Sequence, residues 1–139
     1  KPFRTTLNLM PKNVVLGIGC RKGCETVEES ILAFLKVNGV SVYSLFAVAT
    51  VDIKKNEKGI VEFCEKFDIP LLTFSAETLA AVEGEFTASE FVKKTVGVDN
   101  VCERAVCAVG AKITEKKTAL NGTALALGRI NTEIDFLKG

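Results

Sequence analysis

Residues 14–23 read VVLGIGCRKG, an apolar run that leads into a turn rich in glycine and basic side chains. The first half, Val14–Ile18, is apolar enough to predict a strand that is buried on both faces. A capping box at Thr26–Glu29 follows and predicts the start of a helix. Because a helix N-terminus offers unpaired N–H groups and a favourable dipole, and glycine allows close approach, this junction favours an anion. The sequence therefore predicts a carboxylate or phosphate site, with Arg21 and Lys22 adding positive charge.

The composition predicts one soluble α/β domain. The chain has 139 residues, of which 47% are hydrophobic and 25% are charged, and this length can bury a substantial core. Its net charge of +1 provides no general attraction to nucleic acid or to a membrane surface. No apolar run approaches the roughly 20 residues of a membrane-spanning helix. We therefore expect no nucleic-acid partner and no membrane association, and any anion site must be local.

Histidine is absent and five cysteines are present. Without histidine the chain lacks the commonest general base and the commonest metal ligand, so we predict neither a metal site nor a resident cofactor. The odd number of cysteines, without CxxC pairs, argues against a disulfide framework and for a reducing, cytoplasmic location. Basic neighbours are expected to lower the pKa of Cys20. Because a nucleophilic cysteine normally has a base partner, we favour a small side chain packed in a turn.

Hydrophobic periodicity and turn signals predict alternating strands and helices. The predicted helices cover 27–38, ended by Gly39, 57–67, 76–82, capped by Ser75, a segment after the capping box at 87–90, and a segment from Asp99 or Asn100 to Ala108. The predicted strands cover 14–18, 40–48, 69–74, 111–114 and 123–129, with a turn at Asn121-Gly122. This order predicts an α/β three-layer sandwich: a mainly parallel sheet with helices on both faces and an antiparallel C-terminal strand pair.

Ligands of such sheets bind beyond the carboxyl ends of the strands. Three strand-end loops are expected to converge there: Gly19–Gly23, Thr50–Lys54 and Ser75–Glu77. In the second loop, Asp52 is either a general base or hydrogen-bond acceptor for a ligand, or simply a turn residue. In the third loop, Ser75 either contacts a ligand or caps the helix that follows. Glu77 either contacts a ligand or simply provides a favourable negative charge in the first turn. Three later lysines either contribute to a ligand site or only form a solvent-exposed face: Lys112, Lys116 and Lys117.

The glycine spacing does not match the common nucleotide motifs. Gly17-x-Gly19-x-x-x-Gly23 is one residue longer than the dinucleotide fingerprint, and the first acidic residue after the second strand, Asp52, comes too late. A phosphate-binding Walker A loop also requires a Gly-Lys-Ser/Thr sequence that does not follow here. A nucleotide-binding domain is therefore disfavoured. A tight turn whose glycines only satisfy backbone geometry remains an alternative.

Three stretches resemble one family when they are taken in this order. The segments GIGCRKG at 17–23, ATVDIK at 49–54 and FSAETL at 74–79 are similar to the C-terminal domain family of the cobalamin-biosynthesis protein CbiG and its stand-alone relative CobE. The resemblance extends to the TALAL ending at 123–127 and covers about residues 13–129. It implies a CobE/CbiG C-terminal-like domain over 13–139, and a linker from a missing upstream domain over 1–12.

The resemblance implies a step in the anaerobic, cobalt-early route to cobalamin (vitamin B12). The family's enzyme is the cobalt-precorrin 5A hydrolase, which opens the ring-A acetate δ-lactone and releases a two-carbon fragment as acetaldehyde. The expected partners are thus a cobalt-corrin intermediate, as substrate, and the upstream domain. Acetate and propionate carboxylates on the rim of this tetrapyrrole suit the predicted anion site. The alternative is a non-catalytic module that holds or passes the corrin intermediate.

The residues that match the family's stretches are the candidate site residues. Those expected to bind substrate are Gly17, Gly19, Cys20, Gly23, Thr50, Lys54, Ser75, Glu77 and Lys116. The resemblance supplies no catalytic residue. From chemistry and position, Asp52 is the candidate to activate water, and Arg21 or Lys22 to stabilise the lactone oxyanion.

Overall fold

The computed structural model describes residues 12–20, 23–82, 100–120 and 122–130, and in these ranges five strands form a single sheet. The strands are β1 (Val14–Cys20), β2 (Leu45–Val51), β3 (Leu71–Phe74), β4 (Lys112–Leu120) and β5 (Thr123–Arg129), in the spatial order β3-β2-β1-β5-β4. β1, β2 and β3 are parallel, whereas β5 pairs antiparallel with both β1 and β4. Of these five strands only β5 is reversed. The predicted mainly parallel sheet with an antiparallel C-terminal pair is confirmed.

Helices cover both faces of this sheet. In the part of the chain that the structure describes, they are α1 (Val27–Val37), α2 (Lys58–Phe67), α3 (Ala76–Ala80) and α4 (Val101–Val109). α1 and α2 bury side chains such as Ile31 and Phe63 against one face, together with Leu16 of β1. α3 and α4 bury Leu79 and Val106 against the other face. The predicted three-layer sandwich is confirmed, and none of the described helices is both long and apolar enough to cross a membrane.

Side-chain size alternates along the two central strands and sets the spacing of the layers. The face toward α1 and α2 has large residues: Leu16, Ile18, Leu125 and Leu127. The face toward α4 has small residues: Gly17, Gly19, Ala124, Ala126 and Gly128. This alternation follows the two-residue period of a strand. A Cβ at Gly17 would lie 1.9 Å from the carbonyl oxygen of Cys102, and one at Gly128 would lie 2.3 Å from Val106 Cγ1. The backbone of α4 therefore packs directly on β1 and β5 because these positions lack side chains.

Two strands differ from the sequence prediction. β2 begins at Leu45 rather than at residue 40, because the Ser41 hydroxyl accepts a hydrogen bond from Tyr43 N and caps a 3-10 turn. β2 then continues to Val51, so that Thr50 belongs to the strand and not to the loop after it. β4 extends to Leu120 instead of ending at residue 114.

The length of β4 is accommodated by two bulges. Nine residues of β4 pair with seven of β5, and the register shifts between Ile113 and Glu115 and again between Glu115 and Thr118. The second bulge contains Lys117, whose backbone N–H donates to the buried carboxylate of Glu103 on α4. An acceptor supplied by another element thus stabilises a strand irregularity that no local pattern could predict.

Local signals at the helix ends were mostly correct. Ser75 Oγ accepts from Thr78 N at 3.1 Å, and Asn100 Oδ1 accepts from Glu103 N at 3.1 Å, so both predicted caps are confirmed. Gly39, with φ of 66°, ends α1 as predicted. The predicted capping box at Thr26 was wrong, because the expected side-chain hydrogen bond is not formed. The backbone of Thr26 is not in the extended conformation of a capping residue, and its side chain makes no cap bond. The predicted helix after 87–90 and the turn residue Asn121 lie outside the described residues.

The helix N-termini gather at one edge of the sheet. α1, α2 and α3 each follow the carboxyl end of a parallel strand. α4 starts at the same edge. Its first residue, Val101, lies against Gly19 near the end of β1, whereas Val106 lies against Gly128, which pairs with Val15 near the start of β1. We call this the carboxyl edge. The positive ends of the helix dipoles point to it, which favours negative ligands there.

Candidate functional site

The loops after β1 and β2 are joined at the carboxyl edge by one carboxylate. Gly23 N donates to Glu57 Oε2 at 2.8 Å, and Glu57 Oε1 lies 3.7 Å from Lys54 Nζ. The backbone N–H of Glu57 also donates to the carbonyl oxygen of Lys54 at 3.0 Å. Only 13% of the lysine side chain and 9% of the glutamate side chain are exposed. The structure thus brings together the first two of the three loops that the sequence pointed to.

Glu57 was missed by the sequence analysis. It occupies the N-cap position of α2, where an acidic residue needs no explanation beyond the helix dipole. Its side chain nevertheless makes no cap hydrogen bond and reaches instead to Gly23, 34 residues earlier in the chain. Only the position of the β1 loop beside α2 shows this role.

Asp52 stands directly after β2, in a 3-10 turn over Asp52–Lys54. Its backbone carbonyl accepts from Lys55 N at 3.1 Å, so the residue does form the turn. Its side chain is half-buried, and the hydrogen bonds and ion pairs found within the described ranges do not involve its carboxylate. Asp52 therefore stays a candidate proton or hydrogen-bond acceptor at the carboxyl edge.

Thr50 has a structural hydroxyl. The side chain is fully buried, and Oγ1 donates to the carbonyl oxygen of Ile18 at 2.6 Å. The regular pairing of β1 with β2 ends at Gly17 and Ala49, so this bond continues the strand contact by one residue. Thr50 holds the two strand ends together and does not offer its hydroxyl to a ligand.

The three candidate glycines have different environments. Gly17 is buried under α4, which explains it by packing rather than by ligand approach. At Gly19 a Cβ would make an ordinary contact of 3.7 Å with Val101, so this position does not require glycine for space. Gly23 has φ of 77° and open space on its Cβ side, and it presents its N–H to Glu57. Of the three, Gly23 is the one that belongs to the joined loops.

Cys20 and Cys24 differ in acidity. The expected lowering of the Cys20 pKa by its basic neighbours was wrong, whereas the favoured interpretation, a packed side chain, agrees with its burial. Burial raises the pKa of Cys20 to about 11, although the nearby Lys54 ammonium partly offsets this effect. Burial also acts against ionisation of Cys24. There the contacts of Sγ with the hydroxyls of Thr123 and Thr26, both at 3.5 Å, outweigh it and lower the pKa. Cys20 is thus a protonated thiol at neutral pH.

This difference predicts selective alkylation. With iodoacetamide between pH 7 and 8, Cys24 is expected to react before Cys20, because only the thiolate attacks and a thiol of pKa about 11 provides little of it. Raising the pH toward 10 should narrow the gap. Peptide mass spectrometry over time would measure both rates in the same sample. Faster labelling of Cys20 at pH 7 would contradict the assignment.

The remaining candidates make no hydrogen bond or ion pair with Gly23, Lys54 or Glu57, or lie outside the described residues. Ser75 Oγ accepts from Thr78 N and donates to Thr78 Oγ1 at 2.9 Å, so its hydroxyl serves the cap of α3. Glu77 is exposed in the first turn of that helix. Lys116 is exposed in the second bulge of β4, midway along the strand rather than at the carboxyl edge. Arg21 and Lys22 lie outside the described residues. Within the described ranges, no three His, Cys, Asp or Glu side chains form a group that could hold a metal ion.

Comparison with known families gives a match over most of the chain. The model of a family described as "Cobalamin synthesis G C-terminus" matches residues 14–128. The "probable cobalt-precorrin-5A hydrolase" of Methanocaldococcus jannaschii is 34% identical over 115 residues, covering 80% of this chain and 36% of that protein. The cobalt-precorrin-5A hydrolase of Salmonella typhimurium is 38% identical over 95 residues, covering 67% of this chain and 27% of the relative. The chain thus spans about a third or less of the length of these relatives.

Two solved structures with the same fold are described as proteins of cobalamin biosynthesis. CobE, described as a protein from the cobalamin (vitamin B12) biosynthetic pathway, superposes with a TM-score of 0.77 at 25% identity, covering 88% of this chain and 96% of CobE. The cobalamin biosynthesis protein chiG from Agrobacterium tumefaciens gives a TM-score of 0.65 at 25% identity, covering 85% of this chain and 98% of chiG. The fold described above is therefore similar to nearly the whole of each of these two solved chains.

Proposed function

This chain belongs to the cobalamin synthesis G C-terminal family, and from that membership we propose that it binds cobalt-precorrin 5A as the C-terminal domain of a cobalt-precorrin-5A hydrolase. The proposed reaction is hydrolysis of the ring-A lactone, with release of acetaldehyde. Residues 13–139 form the proposed domain, residues 1–12 its linker, and an upstream domain of the same protein is its proposed partner. Because all five cysteines are free thiols, we place the reaction in a reducing cytoplasm.

The observation that supports substrate binding is the state of Lys54. Its ammonium lies at the carboxyl edge and is largely buried, and among the described residues its nearest carboxylate oxygen is 3.7 Å away, beyond hydrogen-bond distance. An acetate or propionate carboxylate of the substrate would supply the missing acceptor. The neighbouring helix N-termini favour the same charge. A polycarboxylated tetrapyrrole is thus a ligand whose chemistry fits this edge.

The proposed hydrolysis uses groups beside Lys54. Water attacks the lactone carbonyl, and Asp52 accepts its proton as general base. Arg21 or Lys22 stabilises the negative charge that develops on the carbonyl oxygen. Cleavage of the acyl–oxygen bond gives a carboxylate and an alkoxide, which takes the proton from Asp52. The hydroxyl then loses its proton as the carbon–carbon bond to the macrocycle breaks, so that the two-carbon fragment leaves as acetaldehyde and the macrocycle keeps the electron pair. In this scheme the cobalt ion belongs to the substrate and needs no protein ligand.

A second candidate function is a binding or carrier module without turnover. It is favoured by one observation: this fold covers 96% of CobE, so a protein of the pathway consists of little else. In that case the chemistry occurs in the part of the longer relatives that this chain does not match. The same carboxyl edge would then hold the corrin intermediate without cleaving it.

Anaerobic incubation with cobalt-precorrin 5A separates the two functions. We expect this 139-residue chain to bind the substrate and to release acetaldehyde, detected by coupled reduction with alcohol dehydrogenase. The longer cobalt-precorrin-5A hydrolase of Salmonella typhimurium serves as the positive control. Binding without acetaldehyde would favour the carrier module. If the chain does not bind the substrate, while the control turns it over, both functions are contradicted.

A further inference from the structure

Glu57 uses its two carboxylate oxygens on two different loops. Oε2 accepts from the backbone N–H of Gly23 at 2.8 Å, and Oε1 faces Lys54 Nζ at 3.7 Å. The Lys54 and Glu57 side chains are 13% and 9% exposed, so their ion pair is more enclosed than a surface pair, whose contribution would be small, whereas Gly23 is exposed.

The charge of Glu57 suits the dipole of α2, but a cap hydrogen bond does not explain the direction in which its side chain reaches. Short polar side chains at an N-cap position, those of Ser, Thr, Asp and Asn, accept from N–H groups of their own helix and stabilise it. Glu57 makes no such bond, and the first turn of α2 has no other acidic residue. The Glu57 carboxylate therefore does not cap α2 and instead accepts a hydrogen bond from Gly23 of the β1 loop. A function of the joined loops accounts for this better than helix stability does.

The consequence falls on Lys54. The carboxylate balances the lysine's charge and restricts its position, yet at 3.7 Å it takes none of the three ammonium N–H donors as a close hydrogen bond. Within the described ranges no other acceptor is within hydrogen-bond distance of Nζ. The free energy of a largely buried ammonium in this state falls when an anion binds to it. Because the lysine is already held, less side-chain entropy is lost on binding.

We propose that Glu57 is a positioning residue that fixes Lys54 and the Gly23 turn as one unit and presents the Lys54 ammonium to a carboxylate of the tetrapyrrole. This inference rests on the proposed function and adds a residue to it. Glu57 itself does not touch the substrate. Its effect on binding acts through Lys54, and its effect on loop geometry acts through the N–H of Gly23.

The first test measures the position of Lys54 without any ligand. The full chain is treated briefly with acetic anhydride as wild type, Glu57→Gln, Glu57→Ala and Glu62→Gln, and acetylation is quantified for each lysine by mass spectrometry. Glu62 is an exposed residue of α2, so its variant controls for the charge change. We expect Lys54 to react severalfold faster in both Glu57 variants and the exposed Lys55 to react equally in all four. Equal rates at Lys54 would overturn the inference.

The second test measures binding of a defined probe. Uroporphyrin, a tetrapyrrole with eight carboxylates, is titrated by fluorescence against wild type, Lys54→Met, Glu57→Gln and the control variants Lys55→Met and Glu62→Gln. We expect Lys54→Met and Glu57→Gln each to weaken binding about tenfold, as for loss of one charge-assisted contact, and the controls to bind as wild type. With substrate, Glu57→Gln should raise KM and leave kcat nearly unchanged.

The outcomes separate the inference from the function on which it rests. If Lys54→Met weakens binding while Glu57→Gln binds as wild type, the positioning role is wrong and the proposed function stands. If wild type binds neither uroporphyrin nor cobalt-precorrin 5A, the proposed function fails and the role of Glu57 fails with it. Circular dichroism of each variant verifies the fold, and Glu57→Gln keeps an oxygen that can accept from Gly23 N–H.

Discussion

Gly17→Ala is expected to lower the free energy of unfolding by about 3 kcal/mol, at the upper end of the range for overpacked cores. The added methyl group would lie 1.9 Å from the carbonyl oxygen of Cys102 and 2.8 Å from Val106 Cγ2. The first of these is backbone, so no side-chain rotation relieves the clash and α4 must move off β1. Because small domains have about 5–15 kcal/mol of total stability, this loss is readily measured as a shift of the urea midpoint.

Gly19→Ala is the matched control for this change. A Cβ there would meet Val101 at 3.7 Å, an ordinary contact, and the residue does not have a positive φ. We expect its stability to remain within about 0.5 kcal/mol of wild type. Equal losses at both glycines would contradict the packing explanation. If Gly19→Ala folds normally but loses substrate, Gly19 keeps its predicted place in the binding site, and Gly17 does not need one.

Asp52→Asn is expected to reduce acetaldehyde release about 10²–10⁴-fold while substrate binding is retained, as for loss of a general base. Asparagine preserves the size of the side chain and the 3-10 turn, whose hydrogen bond uses the backbone oxygen of residue 52. The variant removes the negative charge and the ability to accept a proton, and keeps the shape of the side chain. Single-turnover assays with saturating enzyme would separate the chemical step from binding.

Asp68→Asn provides the same substitution at the opposite edge of the sheet. Asp68 ends α2 with φ of 55°, a left-handed conformation that asparagine also adopts readily. We expect full turnover in this control. Full turnover in Asp52→Asn as well would exclude Asp52 as the base and leave the residue with its role in the turn.

The fold was largely predictable because its determinants are local. The apolar run at Val14–Ile18, the helical periodicity of 57–67 and the caps at Ser75 and Asn100 depend on residues within a few positions of one another. The exceptions have identifiable causes. Ser41 diverts the chain into a 3-10 turn before β2, and Glu103 supports a bulge in β4 from a different element.

The candidate site was predictable only in its location. Parallel strands with helical connections bring their carboxyl ends to one edge, so the convergence of the β1 and β2 loops follows from topology. The role of each residue does not. Thr50 resembles a ligand-binding hydroxyl until the carbonyl of Ile18 is seen 2.6 Å away. Cys20 resembles a thiolate when its basic neighbours are considered, until burial is taken into account.

The sequence by itself determined the α/β class, the order of most elements, the edge at which the first two strand-end loops meet and, through three short stretches, the family. These depend on periodicity, capping and topology, which are encoded within short segments. Only the tertiary structure decided that Gly17 makes room for α4, that Thr50 joins two strands, and that Glu57 reaches back 34 residues to Gly23 beside Lys54. Each of these depends on a distance between segments far apart in the chain, and packing alone sets that distance.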